Sequence, residues 1–245
     1  DLKNGILRTP DEPERMIDED PLRMLRIVRF HARFGFRYAE GLRELIRERA
    51  WRLEIISAER IQEEFSRMLL LRDPACAVRE LRELGLLKVF APELDAMHGV
   101  EQGKWHQADV FEHTMHVLNG TRADLVLRMA ALLHDVGKPE TKIIKEGEIR
   151  FFSHEVVGAA ITKRFLKRLR YSTEFIDQVS LLVKNHMRLG SMEQFSAPAA
   201  RRLLRDLRGH EELLFELVQA DVDSLINVPK KIDVNAIRQR IHEVA

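Results

Sequence analysis

His134 and Asp135 stand side by side at the end of an apolar run, Leu125–Leu133, and Gly137 and Lys138 follow at once. The run has the continuous apolar character of a buried helix. A His–Asp pair at its end is costly unless something compensates the polar groups. A divalent cation does so, since imidazole nitrogen and carboxylate oxygen are usual ligands of a hydrolytic metal. The pair alone reads equally well as two hydrogen-bonded core groups, because two ligands do not hold a metal. Four further candidates tip the balance: His113, His154, His186 and Asp221. Lys138 is placed to hold a phosphate, or to act as a cation at a helix C-terminus.

Each candidate needs an element to carry it. His113 lies on Asp109–Leu118, which reads as a short helix, and His116 is expected on that helix's outer face. His154 opens the next helix. His186 ends an apolar helix from Phe175 to Met187. Asp221 comes late in another. Separate helices of a bundle bring such positions together in the core. With few Pro and Gly and no dominant Val/Ile/Thr alternation, the fold class expected is all-α. Lys142–Phe152, centred on Glu146–Gly147, reads as a small β-hairpin. Ile232–Val244 is an amphipathic tail that can pack on the bundle.

The order His113, His134–Asp135, Asp221 resembles the ligand pattern of the HD superfamily of metal-dependent phosphohydrolases. His154 and His186 resemble the fuller set of members that hold a second metal. The resemblance implies one or two divalent ions, with Mn, Co, Ni or Zn all admitted. It also implies phosphate-ester substrates: phosphomonoesters, 2′-nucleotides and 2′,3′-cyclic phosphates. Asp135 and Lys138 would be the catalytic pair.

The N-terminal third carries different chemistry. From Pro21 to Arg52 there are nine arginines against three glutamates. Such an excess is the footprint of a surface that meets phosphates, and arginine favours bidentate recognition. Asp20 and Pro21 are suited to open a helix. Sorted around that helix, Met24, Ile27, Val28, Phe30 and Phe34 form an expected core side. Arg23, Arg26, Arg29 and Arg33 form a basic side, and Gly35 ends the helix. Ser57 caps a helix to Leu70, and Asp73–Pro74 opens another that ends at Gly85.

Asp1, Gly5 and Arg8 fit D-x-x-x-G-x-x-R, and Glu19, Asp20 and Arg23 fit E-D-x-x-R. In this order the two signatures resemble the bacterial class II tRNA nucleotidyltransferases, the CCA-adding enzymes, and the related poly(A) polymerases. The segment Ser-x-Glu-Arg-Ile at 57–61 and the stretch Lys104-Trp105-His106 resemble the same family, with His106 read as a surface histidine rather than one that lines the site. The resemblance implies a joint at Arg8 and a protein template at Asp20 and Arg23, with Glu19 beside them. That template would recognise the edge of CTP or ATP, by carboxylate accepting and guanidinium donating. It implies a phosphate contact at Arg26 and tRNA contacts along Arg29 and Arg33.

The domain reading is 1–15 as linker, 16–100 as neck and body, and 101–245 as the HD region. No Gly-Ser nucleotide loop or paired Mg²⁺-binding aspartates precede the joint motif. The expectation is therefore a chain without the polymerase head, adding no nucleotides by itself. The alternatives kept open are a poly(A) polymerase relative, a stand-alone HD phosphohydrolase, and a helical RNA-binding module with a degenerate metal site. A single cysteine, Cys76, excludes an intrachain disulfide and suits a reducing cytoplasm. No apolar run is long enough for a membrane span. A homodimer is left open.

Overall fold

Asp20 precedes a proline, and a residue in that position is steered out of the α region. It is extended, at φ −146° and ψ 92°. It thereby separates α2 (Leu22–Phe34), which opens just past Asp20–Pro21 as expected, from α1 (Pro13–Glu19), a helix the sequence reading does not include. The computed structural model describes residues 1–103, 108–191, 196–225 and 231–244, so the expectations for Lys104, Trp105 and His106 lie outside the described residues.

The chain forms two compact units, Asp1–Ala96 with Phe165–Tyr171, and Met97–Arg164 with Ser172–Ala245. In the first, β1 (Ile6–Leu7) pairs in parallel with β2 (Arg37–Tyr38). Helices α1 and α2 are followed by α3 (Leu42–Arg49), α4 (Ala58–Leu69), α5 (Pro74–Glu83), α6 (Leu86–Phe90) and α7 (Pro92–Asp95). Helix α2 packs on α4 and α5. Its buried residues are Leu22, Met24, Leu25 and Val28. Phe30 and Phe34 are exposed instead, which corrects the expected core side. Leu22 and Leu25 turn the buried stripe away from both rings and bring Arg29 to its rim.

The second unit holds α8 (Val110–Asn119), α9 (Leu125–Leu133) and a one-turn α10 (Lys138–Thr141). The antiparallel hairpin β3 (Lys142–Lys145) and β4 (Glu148–Phe151) follows, then α11 (His154–Arg168), α12 (Thr173–Asn185), α13 (Ala197–Leu207), α14 (Glu211–Ser224) and α15 (Val234–Val244). The last turn of α11 is grouped with the first unit, where Arg168 binds Glu93 at 2.7 Å. Helix α9 is apolar on nearly all sides and is buried by α8, α12 and α14, as such a helix must be. Among the described residues the architecture is all-α, with two short strand pairs. Among the described residues no helix is long and apolar enough to cross a membrane.

Candidate functional site

Every predicted ligand sits at an end or on the inner face of a helix around α9. Asp109 caps α8, accepting from the Glu112 amide at 2.8 Å, and so fixes the turn that carries His113. Asp124 caps α9 in the same way through Leu127, at 3.0 Å. His134 and Asp135 come just after α9, His154 is the first residue of α11, His186 follows α12, and Asp221 lies in the last turns of α14. The first five are buried, and Asp221 is partly open to solvent. His116 is exposed, as expected.

The imidazoles converge on Asp135. Its Oδ2 lies 3.1 Å from His134 Nε2 and 3.5 Å from His113 Nε2. Its Oδ1 lies 3.3 Å from His154 Nε2 and 3.8 Å from His186 Nε2. Asp221 Oδ1 approaches His113 Nε2 at 3.1 Å. Two three-residue sets suited to a metal result, His113–His134–Asp135 and Asp135–His154–His186, and Asp135 is common to both.

The outer ring nitrogens explain the orientation. His134 Nδ1 pairs with the Ala131 carbonyl at 2.8 Å, His154 Nδ1 with Phe151 at 3.0 Å, and His186 Nδ1 with Val183 at 2.7 Å. A carbonyl only accepts, so each Nδ1 is the protonated nitrogen. Ser224 Oγ donates to the Asp221 carbonyl at 2.6 Å and accepts from His113 Nδ1 at 3.2 Å. The inward Nε2 atoms of neutral rings therefore carry lone pairs. Outward anchoring of this kind is what orients metal-binding histidines.

A lone pair facing a carboxylate oxygen at 3.1 Å is favourable only with a proton or a cation between them. His134 Nε2 is buried with no hydrogen-bond partner, and Asp135 Oδ2 is buried with an ion-pair contact to Lys138 Nζ, at 2.6 Å, in place of a hydrogen bond. The donor set thus fits a divalent cation. The electrostatics agree. Burial opposes charge on Asp135, but His134 and Lys138 outweigh it and hold its carboxyl well below the usual range. Burial also opposes the His134 imidazolium, yet Asp135 and then Asp221 raise its pKa. His186 is pushed down to about 4, chiefly by burial and then by the charge on His134.

Gly137 explains how α11 reaches the pair. A Cβ there would meet the Gly158 nitrogen at 2.7 Å, and the His154 carbonyl oxygen closer still. Only glycine lets the two backbones pass.

In the first unit the expected nucleotide residues are engaged with neighbouring protein groups. Asp20 Oδ2 accepts from Arg60 at 2.9 Å, and Asp20 Oδ1 accepts from the Leu22 amide at 3.3 Å. Arg23 donates to the Met16 carbonyl at 2.6 Å and to Glu19 at 3.4 Å. Arg8 lies 3.3 Å from Asp1. Arg26 and Arg29 both bind the buried Glu64, at 3.1 and 2.8 Å. Arg33 lies over the Phe34 ring. Arg60 and Glu64 are the partners that sequence reasoning missed. Glu64 had a signal: it stands three residues after Ile61 and four before Met68, on the face of α4 that is buried.

Comparison with known proteins agrees with both halves. Residues 35–97 match the family described as the probable RNA and SrmB-binding site of polymerase A, and residues 106–227 match the HD domain. The A-adding tRNA nucleotidyltransferase of Deinococcus radiodurans is 37% identical over 76% of this chain and 45% of its own length. The CC-adding enzyme of Thermus thermophilus is 38% identical over 76% of this chain and 45% of its own. A multifunctional CCA protein of Laribacter hongkongensis is 37% identical over 84% of this chain and 51% of its own.

The chain belongs to the tRNA nucleotidyltransferase and poly(A) polymerase family. It spans about half the length of the curated relatives it matches. The fold is that of the family too. A Bacillus stearothermophilus CCA-adding enzyme in complex with CTP aligns with TM-score 0.64 at 20% identity, over 99% of this chain and 51% of its own. A Thermotoga maritima CCA-adding enzyme complexed with tRNA aligns with TM-score 0.57 at 14% identity, over 99% of this chain and 52% of its own.

Proposed function

We propose that this chain joins the tRNA-binding, nucleotide-selecting neck and body of a tRNA nucleotidyltransferase to a divalent-metal phosphohydrolase. Residues 1–15 are assigned as the joint, 16–100 as neck and body, and 101–245 as the HD region. The observation that carries the hydrolase half is the convergence of four imidazole Nε2 atoms on the two oxygens of Asp135.

The ligands are His113, His134, Asp135 and Asp221, joined by His154 and His186 for a second ion. Mn, Co, Ni or Zn suits a set rich in imidazole. An ion held there would supply polarisation of a phosphoryl oxygen and a lowered pKa for water. The chain's own residues do the rest. Asp135 stays ionised and is common to the two sets, the histidines present their Nε2 atoms, and Lys138, the catalytic partner of Asp135, balances the buried carboxylate at 2.6 Å in the absence of the ion. The substrates are phosphate esters: phosphomonoesters, 2′-nucleotides or 2′,3′-cyclic phosphates.

On the first unit, Asp20 and Arg23 take the edge of CTP or ATP, with Glu19, Arg26 and Arg8 around them. Arg29 and Arg33 belong to the tRNA-facing side. Binding to a polynucleotide backbone by such a surface weakens steeply with salt.

Metal content of protein prepared without chelator, followed by hydrolysis of a 2′,3′-cyclic nucleotide, tests the first half. His134→Ala is expected to abolish hydrolysis, and unchanged hydrolysis discards the site. tRNA affinity measured from low to moderate salt tests the second half, and a flat profile overturns it.

A further inference from the structure

Lys138 is buried, and its ammonium is divided between two acceptors. Nζ lies 2.6 Å from Asp135 Oδ2 and donates to Gln102 Oε1 at 2.6 Å, with the Phe151 ring centroid 5.4 Å away. Gln102 is buried as well. Its orientation is unambiguous. An ammonium only donates, so Oε1 faces Lys138. Carbonyls only accept, so Nε2 faces the backbone of Asp109 at 3.2 Å and of Ala108 at 3.5 Å. Asp109 is the cap of α8, one turn before His113.

This arrangement bears on Asp135. The carboxylate is common to both three-residue sets, yet an ammonium sits against its Oδ2. An ammonium and a metal cation compete for the same oxygen. A buried ammonium gives up an acceptor only if another already holds it. Gln102 Oε1 is that acceptor, and Gln102 is itself tied to the helix that carries a ligand.

We propose that Gln102 is a positioning residue: it holds the Lys138 ammonium when Asp135 ligates a divalent cation, leaving both carboxylate oxygens to the metal. The proposal rests on the metal-centre reading above, and predicts an effect that passes through Lys138 alone.

The test is Mn²⁺ titration by calorimetry on the full chain, as wild type, Gln102→Met, Lys138→Met and the double variant. Gln102→Met is expected to weaken Mn²⁺ binding by about 10–100-fold, the usual scale for losing a group behind a metal ligand. Lys138→Met is expected to bind Mn²⁺ at least as tightly as wild type, because the competing cation is gone. In the Lys138→Met background, Gln102→Met is expected to do nothing further. Independent, multiplying effects of the two substitutions overturn the proposal, as does wild-type affinity in Gln102→Met. Should Gln102→Met fail to fold, Lys138→Met decides by itself: weakened Mn²⁺ binding there means that the lysine supports the carboxylate, and the proposal falls. A wild-type chain that binds no Mn²⁺ overturns the metal reading itself, a different result from a bound metal indifferent to Gln102.

Discussion

Gly137 lies against Gly158 so closely that the two residues tolerate a methyl group very unequally. At 137 a Cβ would stand 2.7 Å from the Gly158 nitrogen and 3.1 Å from its Cα, whereas a Cβ at 158 finds its nearest neighbours at 3.4 and 3.5 Å. Backbone cannot swing aside as a side chain does. Gly137→Ala is therefore expected to destabilise by about 1–3 kcal/mol and to push His154 away from Asp135. Gly158→Ala lies within α11 in ordinary contact, and should be neutral or stabilise by up to about 1 kcal/mol. Urea unfolding of the two variants checks the contrast, and equal losses would refute the close-approach account.

Asp135 is shared by both three-residue sets, and His186 belongs to one. Asp135→Asn should lose all tightly bound metal. His186→Ala should lose one ion and keep the other, held by His113, His134 and Asp135. Elemental analysis after dialysis against metal-free buffer distinguishes the two. If His186→Ala were to empty the site completely, the two sets would not be separable.

Much of this site was legible because its signals are local. The His134–Asp135 pair ends an apolar helix, His154 and His186 mark helix ends, and Glu146–Gly147 marks the hairpin turn, where both residues have positive φ. What was not legible depends on partners remote in sequence. Arg26 and Arg29 looked like free cations along a stripe, yet each reaches 38 and 35 residues to Glu64. Gln102 meets Lys138 across 36 residues, and no periodicity announces a buried glutamine. The exposure of Phe30 and Phe34 was missed for a nearer reason. Leu22 and Leu25 set the direction of the buried stripe on α2, and both rings fall outside it.

Glu64 is 2% exposed and is held by Arg26 and Arg29, with Arg67 at 3.6 Å. Removing its charge leaves Arg29, itself largely buried, with an uncompensated guanidinium. Glu64→Gln is expected to cost about 3 kcal/mol. The same change frees two arginines, so tRNA affinity at low salt should rise and its salt dependence should steepen. Thermal melts and filter binding at several salt concentrations report the two effects separately. Weaker low-salt binding in a variant that remains folded would mean that Glu64 holds the arginines in their binding geometry.

The metal-free protein should lose stability on the acid side through His186. Its pKa is pushed from 6.5 down to about 4 in the folded chain, chiefly by burial. As pH falls from 6.5 towards about 4, the unfolded chain takes up a proton that the buried ring refuses, so the unfolded state gains and stability drops. The full shift corresponds to roughly 3 kcal/mol. Neighbouring groups act elsewhere on the scale. The raised pKa of His134 adds stability that is present below pH 6.5 and lost above it. The lowered pKa values of Asp135 and Asp221 add stability that is lost only as pH falls below about 3.8. The window between therefore belongs to His186. Urea midpoints of chelator-treated protein at pH 6, 5.5, 5 and 4.5 should fall steadily, and His186→Leu should flatten that fall while wild type keeps it. Parallel slopes in the two proteins would show that the buried ring is not what acid attacks first.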